Sequence, residues 1–196
     1  MIEAIFWDFG GVIVRDNIQP AFLELGIPYG ENCLAAWREH KLGRIDQEEY
    51  FTRCLNGSEH RREELRVLTD AFLTIHPDGA LPVIQQLQRQ GDYVQGVISN
   101  HSRVWGRTIV ERHELEKYLW PIIISAEVGM DKSGVDIFQY ACQAVGCAPK
   151  ETLFVDNQES NVMPADLMAP AQPLVLHLAL LIPVLPVVVA EAEVAV

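Results

Sequence analysis

The sequence predicts an α/β protein, a Rossmann-like, doubly wound parallel sheet with a helical cap inserted after the first strand. Three observations carry that expectation. Four short apolar runs, residues 4–7, 93–98, 121–124 and 152–155, each stop at polar residues, the pattern of strands buried on both faces that end in a functional turn. Helical patterns separate the later runs, so the connections are crossovers and the strands are parallel. Residues from about 15 to 74 break this alternation with helical patterns and no convincing strand.

The first run, Ala4 to Trp7, is stopped by Asp8 and then by Phe9-Gly10-Gly11, a strand entering a tight turn. Helical patterns follow at 19–25, 31–40, 46–55 and 59–72, and the hinges of this lobe are expected near 14–16 and 76–79. A helix over 80–90 is closed by Gly91, one is expected over 104–119, and one over 135–145 is closed by Gly146; glycine is the usual helix-stop residue. The intervening strands end at Ser99-Asn100, Ser125 and Asp156-Asn157. Ligands of such sheets sit outside the carboxyl ends of the strands, where Asp8, Ser99 and Asp156 are expected to converge. The expected division is a core of 1–14 and 77–180, a cap of 15–76 and an apolar tail of 181–196.

Charge excludes some functions. Lys and Arg number 15 against 27 Asp and Glu, a net charge of −12, and no basic run interleaves with aromatics, so nucleic acid is not an expected partner. Cys33, Cys54, Cys142 and Cys147 lack zinc spacing, and a chain of this size does not need disulfide staples, which suits a reducing cytoplasm. The N-terminal residues read as a buried strand rather than a signal peptide. The end is unusual: residues 168–196 hold no Lys or Arg, and 174–190 are nearly all aliphatic, broken by Pro183 and Pro186. A run of about 17 residues with two prolines and no basic flank is a poor spanning helix, so no membrane partner is expected. Residues 173–178 are read as a last parallel strand.

Phe6-Trp7-Asp8-Phe9-Gly10-Gly11-Val12, Val97-Ile98-Ser99-Asn100, Gly129-Met130-Asp131-Lys132 and Phe154-Val155-Asp156-Asn157 with Asn161-Val162 stand in this order along the chain. Together they resemble the four motifs of the haloacid dehalogenase superfamily. An Asp after a strand is weak evidence alone; four motifs in register are specific. Residues 42–51, with Gly43 and Tyr50, resemble the cap segment of the glucose-1-phosphate phosphatase branch and of epoxide hydrolase N-terminal phosphatase domains.

The resemblance implies a phosphatase of small phosphorylated metabolites; a monomer or homodimer is expected. It assigns Asp8 as nucleophile, with Ser99 and Lys132 as the other catalytic groups. It implies Mg²⁺ held by Asp8, the Gly10 carbonyl and Asp156, with Asn157 beside them, and phosphate contacts from Gly10, Gly11 and Asn100. Such residue types suit the chemistry, because a carboxylate nucleophile splits ester hydrolysis into two steps and a divalent cation relieves its repulsion from phosphate. In the lobe, Trp37, Arg38, His40, Lys41 and Arg44 are the one cluster of aromatic and cationic residues; Trp37, Arg38, Lys41 and Arg44 are candidates for holding the rest of the substrate. His60, His76 and His113 read as surface residues.

Three departures from the family pattern stand out. Gly10 replaces the acid usual two residues after the nucleophile, Asn157 replaces a second acid of the fourth motif, and Ser133 replaces the proline usual after the lysine. They keep two alternatives open: a metal-independent 2-haloacid dehalogenase, and a catalytically weakened binding or regulatory protein.

Overall fold

The computed structural model describes residues 1–15, 18–168 and 175–177. Five strands, β1 (Ala4–Trp7), β2 (Val94–Ser99), β3 (Ile122–Ile124), β4 (Thr152–Asp156) and β5 (Val175–His177), form one sheet in the order β3-β2-β1-β4-β5. Every pairing is parallel. The central strand pairs on both sides, Trp7 lying opposite Val97 and Val155.

Alternation along the strands divides the core. Ile5, Trp7, Val97, Leu153 and Val155 face one side, and Ala4, Phe6, Ile98, Ile123 and Phe154 the other. The second face is covered by α8 (Asp136–Val145), whose Phe138 ring meets Phe154 edge-on with centroids 4.9 Å apart. On the first face, α5 (Leu81–Gln90) buries Ile84 and Leu87, and α6 (Arg103–Arg112) buries Trp105 and Ile109. Both faces are dry, so the strands read as continuous apolar runs. Truncating a fully buried ring such as Phe6 costs about 3–5 kcal/mol.

Between β1 and α5 the chain forms α1 (Gln19–Glu24), α2 (Glu31–His40), α3 (Gln47–Leu55) and α4 (Arg62–Ala71). Their buried residues, including Phe22, Tyr50, Phe51 and Leu65, continue the first core cluster. The Asp46 carboxylate caps α3 by accepting from the Glu49 amide at 2.8 Å, which stabilises the helix start by roughly 1 kcal/mol. Val14 bridges to Gly10 and to Ile75, drawing together the two ends of this helical segment.

Some boundaries differ from expectation. The helix expected over 104–119 stops at Arg112, and a separate 3₁₀ turn covers Leu115–Lys117. Glu114 takes a left-handed conformation (φ 51°), which ends any helix, while His113 Nε2 is hydrogen-bonded to the Leu73 carbonyl at 2.9 Å. Pro121 falls outside β3 because it has no N–H, although its carbonyl accepts from Val97 at 2.8 Å. A short helix, α7 (Ser125–Val128), follows β3, and α9 (Glu159–Asp166) follows β4; neither was expected. Of the last strand expected over 173–178, Val175–His177 are described and form β5; residues 173, 174 and 178 lie outside the described residues. The apolar tail of 181–196 lies outside the described residues. Among the described residues, no helix is long and apolar enough to cross a membrane.

Candidate active site

Because β2, β1 and β4 are neighbours, their carboxyl ends bring Ser99, Asp8 and Asp156 side by side. Asp8 follows β1, and its amide still donates to the Val155 carbonyl at 2.9 Å, which holds it level with the end of β4. Lys132 arrives from the loop between α7 and α8. Its amide donates to Asn100 Oδ1 at 2.9 Å, tying that loop to the end of β2.

The Lys132 ammonium sits between the two carboxylates. Its Nζ lies 2.8 Å from Asp8 Oδ1 and 2.5 Å from Asp156 Oδ2. The chain holds Asp156 from its other side as well: Asn161 Nδ2 donates to both carboxylate oxygens, at 3.2 and 3.1 Å, and the Gln158 amide donates to Oδ1 at 2.8 Å. Lys132, Asp156 and Asp8 are only 3%, 4% and 6% exposed, so none of these charges is compensated by bulk water.

Burial dominates the electrostatics of Asp8 and pushes its carboxyl up to about 6; Lys132 opposes this shift, Asp156 reinforces it, and the Ser99 hydroxyl works with Lys132. For Lys132, burial favours the neutral amine, but the two carboxylates outweigh it and keep the ammonium charged. The Lys132 ammonium engages the buried Asp8 Oδ1 at 2.8 Å, whereas the buried Asn157 Oδ1 has no hydrogen-bond partner. One unpartnered amide oxygen beside two carboxylates that share a single ammonium suits a hard cation that takes oxygen ligands. Among the described residues, no three His, Cys, Asp or Glu side chains gather at one point, so the donor set suits Mg²⁺, which needs few carboxylates and keeps waters, better than zinc.

Gly11 allows this packing. It adopts φ +72°, and a Cβ there would come within 2.1 Å of Asn157 Nδ2. A side chain at position 11 would therefore displace Asn157 as well as strain the turn.

Above Asp8 opens a cleft of about 850 Å³, lined by Gly10, Gly11, Ser99, Asn100 and Asn157 below and by Trp37, Arg38 and Lys41 from α2 and its end. Arg44 is a correction to the expected cluster. The chain turns back after α2, so its guanidinium pairs with Glu39 at 3.1 Å, outside the cleft, with 60% of the side chain exposed. His40 is also turned away: it is buried, stacked on Tyr50 with centroids 4.9 Å apart, and burial lowers its basicity. Of the three histidines expected at the surface, His60 is exposed, whereas His76 and His113 are half-buried and make hydrogen bonds.

Several lining residues were not among the expected site residues: Arg15, Gln19, Tyr29 and Leu34 on the lobe side, while Asn161, quoted with the fourth motif but given no role, stands beside Asp156. Asn161 carried a signal, since it stands with Val162 in the fourth motif that contains Asp156. Arg15 and Tyr29 carried none, because their approach depends on how the lobe folds over β1.

A family model for haloacid dehalogenase-like hydrolases matches residues 2–165. The chain belongs to that family. Among curated relatives, this haloacid dehalogenase-like hydrolase is 28% identical over 179 residues to the D-ribitol-5-phosphate phosphatase of Bacteroides thetaiotaomicron, covering 83% of this chain and 86% of the relative. Its fold matches a haloacid dehalogenase-family enzyme from the same organism, solved with magnesium and inorganic phosphate, at a TM-score of 0.71 and 21% identity over 86% of this chain and 91% of that one. It also matches a dehalogenase, at a TM-score of 0.63 and 18% identity over 85% of this chain and 81% of that one. The shared fold therefore does not choose between attack at phosphorus and attack at carbon.

Proposed function

We propose that this hydrolase is a Mg²⁺-dependent phosphomonoesterase of small, sugar- or polyol-sized metabolites, with Asp8 as nucleophile and residues 15–76 acting as a cap over a core of 1–14 and 77–180. The observation that carries the reading is the Asp8–Lys132–Asp156 arrangement, in which one buried ammonium serves two buried carboxylates. Two acids and one ammonium leave a net charge of −1, which favours a divalent ion and, with the ion bound, an anionic substrate group. A site built to bind a haloacid carboxylate and release halide has no use for Asp156, which weighs against the dehalogenase reading. The name of the Bacteroides thetaiotaomicron relative also favours a phosphate ester of a polyol.

In this reading the carboxylates of Asp8 and Asp156, the Gly10 carbonyl and Asn157 would hold the ion. When bound, Mg²⁺ screens the substrate phosphate from Asp8 and polarises a phosphoryl oxygen. Asp8 attacks phosphorus, forming an aspartyl-phosphate as the bond to the leaving oxygen breaks. Lys132 balances the charge of the phosphoryl group, while the Ser99 hydroxyl, the Asn100 side chain and the amides following Asp8 orient its oxygens. Water then attacks phosphorus, releasing phosphate and restoring Asp8. Trp37 and Arg38 face the remainder of the substrate across the cleft.

Gly10 offers no acid to the leaving oxygen, so that proton comes from water or from the substrate itself, and turnover is modest rather than absent. Phosphate release from an aryl phosphate and from a panel of sugar and polyol phosphates, measured with Mg²⁺, with chelator and with Asp8→Asn, tests the proposal. Activity that needs both Mg²⁺ and Asp8 supports it. Phosphate release indifferent to chelation would remove the metal from the proposal, chelator-resistant halide release from a 2-haloacid without phosphate release points to the dehalogenase reading, and no difference between Asp8→Asn and the unaltered protein points to a binding protein.

A further inference from the structure

Lys41 lines the cleft, yet its ammonium is already engaged. Nζ lies 2.7 Å from Asp131 Oδ2, with the two side chains 17% and 13% exposed. Outside the Asp8 centre, every other ion pair among the described residues has a partner at least 40% exposed. An enclosed pair is screened far less than these and holds its geometry better. Arg38, in the last turn of α2, has no such acidic partner among the described residues.

Asp131 immediately precedes Lys132. Its other oxygen, Oδ1, accepts from the Ser133 amide at 3.0 Å and from the Ser133 hydroxyl, so one carboxylate spans the residues on both sides of the catalytic ammonium. The far end of the connection is fixed too. The Lys41 carbonyl accepts from Ser125 Oγ at 2.5 Å, and Ser125 Oγ in turn accepts from the His101 amide at 2.9 Å. Close by, a Cβ at Gly43 would come within 2.4 Å of the Ala126 carbonyl, so the turn after α2 lies directly on the core.

We propose that Lys41 is a positioning residue, holding the Lys132 loop in register through Asp131, rather than a ligand of the substrate. The inference rests on the phosphatase reading for its kinetic consequences but not for its structural ones. A displacement of about 1 Å at a catalytic group costs roughly 10²-fold in rate. Lys41→Met and Asp131→Asn therefore each lower kcat by about 10- to 100-fold. The loss is the same for acetyl phosphate, an aryl phosphate and a sugar phosphate, and KM changes little. The double variant loses no more than either single one, because both remove the same connection. Lys41→Arg, which keeps the charge, restores most of kcat.

Amide hydrogen exchange of the metal-free protein supplies a readout that needs no activity: the Lys132 amide exchanges faster in Lys41→Met and in Asp131→Asn, and returns towards normal in Lys41→Arg. A KM rise confined to the sugar phosphate, additive losses, or unchanged exchange at Lys132 would overturn the proposal. If the unaltered protein hydrolyses no phosphate ester, the phosphatase reading fails, while the exchange experiment still decides the role of Lys41.

Discussion

Lys132 Nζ stands 2.8 Å from Asp8 Oδ1 with both side chains less than one-tenth exposed, and the same nitrogen reaches Asp156. Removing the cation strands two carboxylates in low dielectric. Breaking a buried pair in this way typically costs about 3–5 kcal/mol. Lys132→Met is therefore expected to lower unfolding stability by that order in urea titrations of the metal-free protein at neutral pH, and to abolish phosphate release. Saturating Mg²⁺ recovers part of the stability but none of the activity.

The raised Asp8 carboxyl gives a pH signature. Its value of about 6 in the fold exceeds that of an unfolded chain, about 4, so between these values the fold retains a proton that the unfolded chain has lost. The stability of the metal-free protein therefore falls as pH rises through this window, by on the order of 3 kcal/mol from this group. Asp8→Asn lacks the group and lacks this slope. Thermal unfolding of the two proteins without metal, from pH 4 to pH 7, checks the difference, which should move in favour of Asp8→Asn as pH rises.

Gly10 makes the rate depend on the leaving group. With no carboxylic acid at that position, expulsion is unassisted, and kcat under single-turnover conditions should rise steeply as the leaving alcohol or phenol becomes more acidic. A series of substituted aryl phosphates measures the slope. A flat series would mean that another residue donates the proton.

Arg38 and Arg44 were indistinguishable by sequence but stand apart in space. Arg38 lines the cleft, whereas Arg44 pairs with Glu39 on the outside. Arg38→Ala should raise KM for a sugar phosphate by about 10-fold, the loss of one charge-assisted contact. Arg44→Ala should change neither kcat nor KM, since an exposed pair contributes about 1 kcal/mol at most.

This contrast shows where the sequence was informative. Strands such as Ala4–Trp7 and Thr152–Asp156 were legible because burial on both faces demands unbroken apolar runs, and the order of Asp8, Ser99, Lys132 and Asp156 follows from the crossovers. Arg44 was misplaced because the turn through Lys41 and Gly43 reverses the chain, a consequence of docking against Ala126 that no local pattern records. The Lys41–Asp131 pair was illegible for the same reason, since it joins residues ninety positions apart. The helix expected over 104–119 extended past a break that only the positive φ of Glu114 reveals.

Attack of Asp8 on phosphorus is tested most directly by a single turnover in ¹⁸O-water followed by acid quench. Attack at phosphorus leaves one solvent oxygen in the released phosphate, a phosphoryl adduct on the Asp8 peptide at early times, and no label in the Asp8 carboxyl group. Solvent oxygen in the Asp8 carboxyl, the mark of an ester hydrolysed at its carbonyl carbon, would contradict it.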